Sequence, residues 1–223
     1  MDRELAARRL PDAAVTALGR WWAENAATYT DATPGAHTIR YTPSRWARIT
    51  PWPSALARPW GKGKRGTAGG SGPVTLERIL AADSLDTALA LAVTTLGEHG
   101  SRQAYAALHQ RIPGLGPSFF TKFLYFAGAA LPAVRGPRPL VLDRVLSLRM
   151  RSLAAAVGRE TGHDPDGSVA AWVWADWNWS PHRYEVYLSF MHAATRQLTS
   201  TGTWPPDAGP DLLECALFKA GWK

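Results

Sequence analysis

Residues 112–126 read IPGLGPSFFTKFLYF, and this stretch decides the fold. The pattern predicts a helix ending at Ile112, a four-residue turn Pro113-Gly114-Leu115-Gly116, and a second helix beginning at Pro117. Two glycines permit positive φ and close backbone approach, while proline suits the first turn of a helix. Leu115, between the glycines, is placed to pin the turn to the core. The unpaired N–H groups of the turn and of the new helix then point outward together. Such a cluster holds an anion, a DNA phosphate for instance, without reading sequence. Pro113, Gly114, Leu115, Gly116 and Ser118 are the candidate phosphate-binding residues. A glycine turn between two helices is common, so the turn alone specifies little.

Downstream, residues 139–150 read PLVLDRVLSLRM. Three apolar residues, Leu140 to Leu142, lead into Asp143, and Val145, Leu146 and Leu148 continue as a buried helix. Asp143 is thereby expected at a helix N-terminus, emerging from the core. An ordinary N-cap is the plain alternative for such an aspartate.

A PGxG hairpin followed by an aspartate behind an apolar run resembles the helix-hairpin-helix DNA glycosylase superfamily, whose aspartate is catalytic. Here Asp143 lies 27 residues beyond Gly116, which implies a slightly longer connection than usual. In bifunctional members the residue two after the second glycine is a lysine nucleophile, and here that position is Ser118. Adenine-type monofunctional members carry serine there together with an iron–sulfur cluster, which a chain with one cysteine, Cys215, cannot build. Lys122 follows Ser118 by four residues and so shares its helix face. A lysine inside FFTKFLYF must be paired or reach solvent, and snorkelling at the core edge is its plain reading. The resemblance makes Asp143 and Lys122 the candidate catalytic pair.

The C-terminal segment DLLECALFKAGWK, residues 211–223, carries Glu214 and Phe218 at i and i+4. This resembles the last helix of the 8-oxoguanine DNA glycosylases, where a glutamine and a phenylalanine share that spacing. The resemblance implies that Phe218 stacks on an extruded base and Glu214 contacts its Watson–Crick edge. A carboxylate only accepts hydrogen bonds, which suits the N1–H and N2–H₂ donors of a guanine-like base. In AAWVWADWNWSPHRYEVY, residues 170–187, Trp172 and Trp174 are expected in the core. Trp177 or Trp179, with Asn178 and His182 nearby, is the candidate to line the base pocket or wedge into the duplex, and Trp179 and His182 are taken as the base contacts.

Composition sets the frame for these motifs. With 46% hydrophobic and 19% charged residues, the chain is an ordinary globular protein. A net charge of +7 fits a polyanionic partner. No apolar run approaches the ~20 residues of a membrane span, and MDRELAARRL lacks a signal-peptide core. The expectation is a cytoplasmic monomer, associated with the nucleoid when acting on double-stranded DNA that contains a damaged base. No histidine pattern of metal-ligand spacing occurs, and no cofactor is expected apart from a cation that the hairpin turn could hold. GHDPDG, residues 162–167, reads as a turn.

The expected fold class is mainly α, a helix-hairpin-helix glycosylase-like fold of two closely packed lobes with an irregular N-terminal region. Residues 1–74 form an N-terminal helix over 11–27 plus a Pro/Gly-rich stretch, with a helix near Ser44 and a loop at 61–73. Residues 75–223 form one helical unit, with helices at 75–80, from Asp83 or Ser84 to Gly97 or Gly100, from Ser101, and over 117–129, 143–157, 181–199 and 209–220. The function expected is excision of an oxidised purine by base flipping, with AP-lyase activity if Lys122 is a nucleophile. The rivals are a non-catalytic helix-hairpin-helix DNA-binding protein and a helical scaffold for another protein.

Overall fold

The computed structural model describes residues 9–29 and 72–219. The expected helix near Ser44 and residues 61–71 of the expected glycine-rich loop lie outside them. Nine helices are present among the described residues, and no strand. They are α1 (Asp12–Tyr29), α2 (Gly72–Leu80), α3 (Leu85–His99), α4 (Ser101–Leu108), α5 (Pro117–Ala130), α6 (Arg144–Thr161), α7 (Ser168–Val173), α8 (Pro181–Ser200) and α9 (Pro210–Lys219). The fold is thus mainly α, as the 3.6-residue periodicity requires. Gly72 and Pro73 belong to α2 rather than to a loop, and that helix runs across the expected boundary at residue 74.

The helix ends follow local chemistry. Asp143 caps α6 by accepting the Leu146 N–H at 3.1 Å, and Ser180 caps α8 through the Arg183 N–H at 3.2 Å. Pro181 and Pro117 occupy first-turn positions, where no N–H is required. Ser101 is the first residue of α4 rather than its cap, and its hydroxyl donates to the Pro137 carbonyl at 2.7 Å. GHDPDG is a turn, as expected. Within it, buried Asp164 caps the short α7 by accepting the Val169 and Ala170 N–H groups at 3.1 and 2.9 Å. The pattern of residues 168–173 is too short for periodicity to reveal, and α7 was not anticipated.

One buried cluster unites residues of nearly every helix, from Leu18 on α1 through Leu96, Tyr105, Phe120, Leu124 and Met150 to Leu213 on α9. The N-terminal helix shares this core with the C-terminal end of the chain. The Leu10 N–H donates to Gln197 Oε1 at 2.7 Å, the Trp204 indole donates to the Leu18 carbonyl at 3.3 Å, and Trp21 and Trp22 tilt against the Trp204 ring. At the centre, Tyr105 stacks on Tyr184 with centroids 4.6 Å apart and meets the edge of Phe120 at 4.7 Å. These ring pairs tie α4, α5 and α8 into one unit.

The link between α5 and α6 runs back along this core. Gly128 makes the close approach: a Cβ there would stand 2.6 Å from Pro139 Cγ. Gly97, by contrast, has nothing within 4 Å of an added Cβ. Gly128→Ala is therefore expected to destabilise the protein by roughly 1–3 kcal/mol, the usual cost of overpacking. Gly97→Ala is expected to be neutral or to stabilise by about 0.4–1 kcal/mol. Urea unfolding midpoints of the two variants check the contrast.

Candidate active site and the hairpin cleft

Residues Leu140 to Leu142 have no regular structure, and no strand pairs with them among the described residues. Their backbone groups are buried and still need partners. Side chains from three helices supply them. Tyr184 of α8 donates its hydroxyl to the Leu140 carbonyl at 2.8 Å, and Tyr187, one turn along, donates to the Val141 carbonyl at 2.8 Å. The Val141 N–H donates to Glu214 Oε2 of α9 at 2.6 Å, and the Leu142 N–H donates to Thr121 Oγ1 of α5 at 3.1 Å. The Thr121 hydroxyl passes its own proton to the Pro117 carbonyl at 2.7 Å. This cradle delivers Asp143 to the start of α6, emerging from the core as expected.

Lys122 stands on α5 one residue past Thr121, and its Nζ donates to the Ser118 carbonyl at 2.6 Å. Burial depresses its pKa below the usual 10.5, while the carboxyl groups of Asp143 and Glu214 oppose that shift. Glu214 is displaced the other way. Burial pushes its carboxyl up to about 8, the Val141 N–H pulls it down, Asp211 and Asp143 push it further up, and Lys122 pulls it down. Lys122, Asp143 and Glu214 thus form one electrostatic group, drawn from α5, the start of α6 and α9. Around neutral pH, Glu214 is largely a neutral acid instead of the carboxylate expected from its residue type alone. Burial also raises Tyr125, whose pKa reaches about 12 beside Asp211 and Glu214.

Phe218, one turn beyond Glu214 on α9, leaves 45% of its surface exposed, so its ring is open to a planar ligand. Trp179 requires a correction. Its indole is 1% exposed, and its N–H donates to Ser147 Oγ and the Ala175 carbonyl at 2.8 and 2.7 Å, so the ring is core and cannot be an open base contact. Trp172, expected in the core, is largely exposed beneath the Arg183 guanidinium, which lies 5.1 Å from the ring centroid. Trp174 is buried as expected. His182 lies on the exposed first turn of α8, 3.8 Å from Glu185, outside the Lys122–Asp143–Glu214 group.

The hairpin also differs in detail. Helix α4 ends at Leu108, four residues before Ile112, and Gln110 takes a left-handed φ of 60° to begin the reversal. The connection therefore spans 109–116 rather than 113–116. Gly114 has φ of 89°, the conformation that its residue type was read to permit. Leu115 packs against the core and donates its N–H to the Ile112 carbonyl at 3.1 Å, pinning the turn. Gly116 is the N-cap of α5 and offers no side chain to its first-turn N–H groups. Pro113, Gly114, Leu115, Gly116 and Ser118 all line one cleft of about 520 Å³, whose opposite wall is Trp177, Asn178 and Trp179. No group of three or more His, Cys, Asp or Glu side chains that could hold a metal occurs among the described residues.

The described residues thus form an all-helical core with a glycine hairpin and, beyond it, a lysine grouped with two carboxyls. Residues 55–218 match the family described as "Putative 8-oxoguanine DNA glycosylase OGG-like protein", and the chain belongs to that family. No curated protein and no solved structure matches it.

The raised pKa of Glu214 ties stability to pH. Its folded pKa of about 8 lies above the unfolded value of 4.5, so its contribution is full below 4.5 and is lost as pH rises through 8. Glu214→Gln keeps an acceptor for the Val141 N–H but cannot ionise. Wild-type melting temperature is expected to fall between pH 5 and 9 more steeply than that of Glu214→Gln. Parallel melting curves across that range check it.

Proposed function

We propose that the chain is a DNA N-glycosylase that extrudes and removes an oxidised purine of the 8-oxoguanine kind, with AP-lyase activity through Lys122. The observation that carries this reading is the partly buried Lys122, of lowered basicity, held on the Ser118 carbonyl within electrostatic reach of Asp143 and Glu214. Membership of the OGG-like family supports the substrate class. The net charge of +7 suits double-stranded DNA as the partner. No helix among the described residues is long and apolar enough to cross a membrane, and we place the protein in the cytoplasm as a monomer acting at the nucleoid.

Binding begins at the hairpin. Its turn and the uncapped first turn of α5 present N–H groups to a phosphate, which positions the duplex without reading its sequence. Extrusion of the damaged nucleotide costs a few kcal/mol, less for a lesion already weakly paired. Phe218 stacks on the extruded base. Glu214, as a largely neutral acid, presents both a donor and an acceptor near the base edge, as a glutamine would.

The chemistry follows from the displaced pKa values. A lowered pKa gives Lys122 a larger fraction of free amine, the form that attacks C1′. The new N–C1′ bond forms as the glycosidic C1′–N bond breaks, and the base leaves with the electron pair. The proton shed by the new ammonium returns to the departing base. The Asp143 carboxylate stabilises the positive charge that develops on the sugar and assists the transfer. Ring opening then breaks the C1′–O4′ bond: the nitrogen lone pair forms the C=N bond of a Schiff base and O4′ takes up a proton, and β-elimination removes a C2′ proton and breaks the 3′ C–O bond. Ser118, at the usual lysine position, serves through its backbone by accepting a hydrogen bond from the Lys122 amine.

The test uses duplexes with 8-oxoguanine opposite each base, with and without borohydride. Wild type is expected to release the base and form a trapped adduct, faster as pH rises toward the lowered Lys122 pKa. Lys122→Ala is expected to abolish the adduct, and Asp143→Asn to slow base release by about 10²-fold or more. Base release that survives Lys122→Ala and vanishes in Asp143→Asn would make the enzyme monofunctional, with water as the nucleophile. Intact DNA binding with no release from any lesion duplex would leave a DNA-binding module.

A further inference from the structure

The wall of the cleft opposite the hairpin is a loop that the chemistry above does not use. Residues 174–180 connect α7 to α8 with no regular structure, yet they are bolted down along their length. The Arg151 guanidinium donates to the Trp174 carbonyl at 2.8 and 3.0 Å. Asp176 takes Arg144 at 2.9 Å and Arg151 at 3.1 Å, and these guanidinium contacts hold its carboxyl below the ordinary range. The Ala175 carbonyl accepts from Ser147 and from the Trp179 indole. The Trp179 carbonyl accepts from the buried Tyr105 hydroxyl. Asn178 takes a left-handed φ of 58°, and its Oδ1 lies 3.2 Å from His109 Nε2, joining the loop to the hairpin wall.

From the middle of this fixed loop Trp177 stands out, 73% exposed, as a lining residue of the cleft. Mobile loops expose tryptophan at little cost, but here the flanking residues are held on both sides. A rigid, exposed indole facing a phosphate-binding turn is a stacking platform. The rest of the lining adds the basic side chains His109 and Arg111, and Arg144 stands next to the loop. A planar, uncharged ring attached to a polyanion fits that combination, and a peptide or lipid does not use both halves of it.

We propose that Trp177 stacks on a nucleobase of the duplex while the hairpin turn holds a neighbouring phosphate of the same DNA. The inference rests on the DNA-binding reading of the hairpin and adds the residue that supports the unstacked helix beside the extruded base. Arg144 and Arg151, through Asp176, act as positioning residues that keep the indole in place.

The test measures equilibrium binding of wild type, Trp177→Ala and Trp177→Phe to a lesion duplex carrying 2-aminopurine beside the lesion. Trp177→Ala is expected to weaken binding roughly tenfold, the scale of one lost base–aromatic contact. Its salt dependence should stay unchanged, because no phosphate contact is removed. Trp177→Phe should recover most of the affinity. Quenching of 2-aminopurine should be present with wild type and Trp177→Phe and absent with Trp177→Ala. Unchanged affinity and quenching in Trp177→Ala would overturn the proposal and leave the DNA-binding reading intact. So would an equal loss of affinity for inorganic polyphosphate, which has no base to stack. Wild type that binds no duplex at all would overturn both together. Melting curves confirm that the surface substitutions leave the fold in place.

Discussion

The segment Leu140–Leu142 has backbone groups with no helix or sheet to pair them, and the rest of the site depends on how it is held. A buried peptide group left unpaired costs on the order of 1–3 kcal/mol, and this segment presents four such groups to the core. Two tyrosine hydroxyls, a threonine hydroxyl and a carboxyl meet them one by one. The partners come from α5, α8 and α9, so those three helices must be in place before Asp143 has a fixed position. The cradle is therefore also a geometric gauge: it sets the distance between the helix that carries Lys122 and the cap that carries Asp143.

Glu214 shows how structure and chemistry share one group. Its hydrogen bond to Val141 is structural, and its raised pKa arises mainly because that bond is made in a buried place. A charged carboxylate there would have strengthened the ammonium form of Lys122 and worked against its use as an amine. A largely neutral acid weakens that pull and still satisfies the backbone. Asp143 differs in its partner: its side chain caps α6 by accepting the Leu146 N–H, so its hydrogen bond is made to a helix end and not to the cradle.

How much of this was legible in the sequence depended on range. Helix periodicity, Pro117 at a first turn, Gly114 at a positive φ and Asp143 behind an apolar run are local signals, and each was found where the residues implied. Tyr184 and Tyr187, one turn apart on α8, went unremarked in the sequence, because their targets lie more than 40 residues earlier in the chain. No local rule supplies such a partner. The tryptophan cluster was legible only in part for a related reason. Trp172, Trp174, Trp177 and Trp179 carry the same hydrophobicity, and tertiary packing decides that 174 and 179 are buried while 172 and 177 are exposed. The end of α4 was misplaced because Ile112 is buried, so an apolar residue in a turn looked like the last residue of a helix.

The displaced lysine follows from the same geometry. In a helix beginning at Pro117, residue 118 lies in the first turn and lines the cleft, while residue 122 lies one turn further along and follows Thr121, which holds the Leu142 N–H. Lys122 reaches back along that turn to the Ser118 carbonyl, and the carboxyls of Asp143 and Glu214 act on its charge there. Partial burial there lowers the amine's basicity. Ser118 and Lys122 on successive turns are joined in one contact, the backbone of the first holding the amine of the second, while Thr121 of the same helix holds the residue before Asp143.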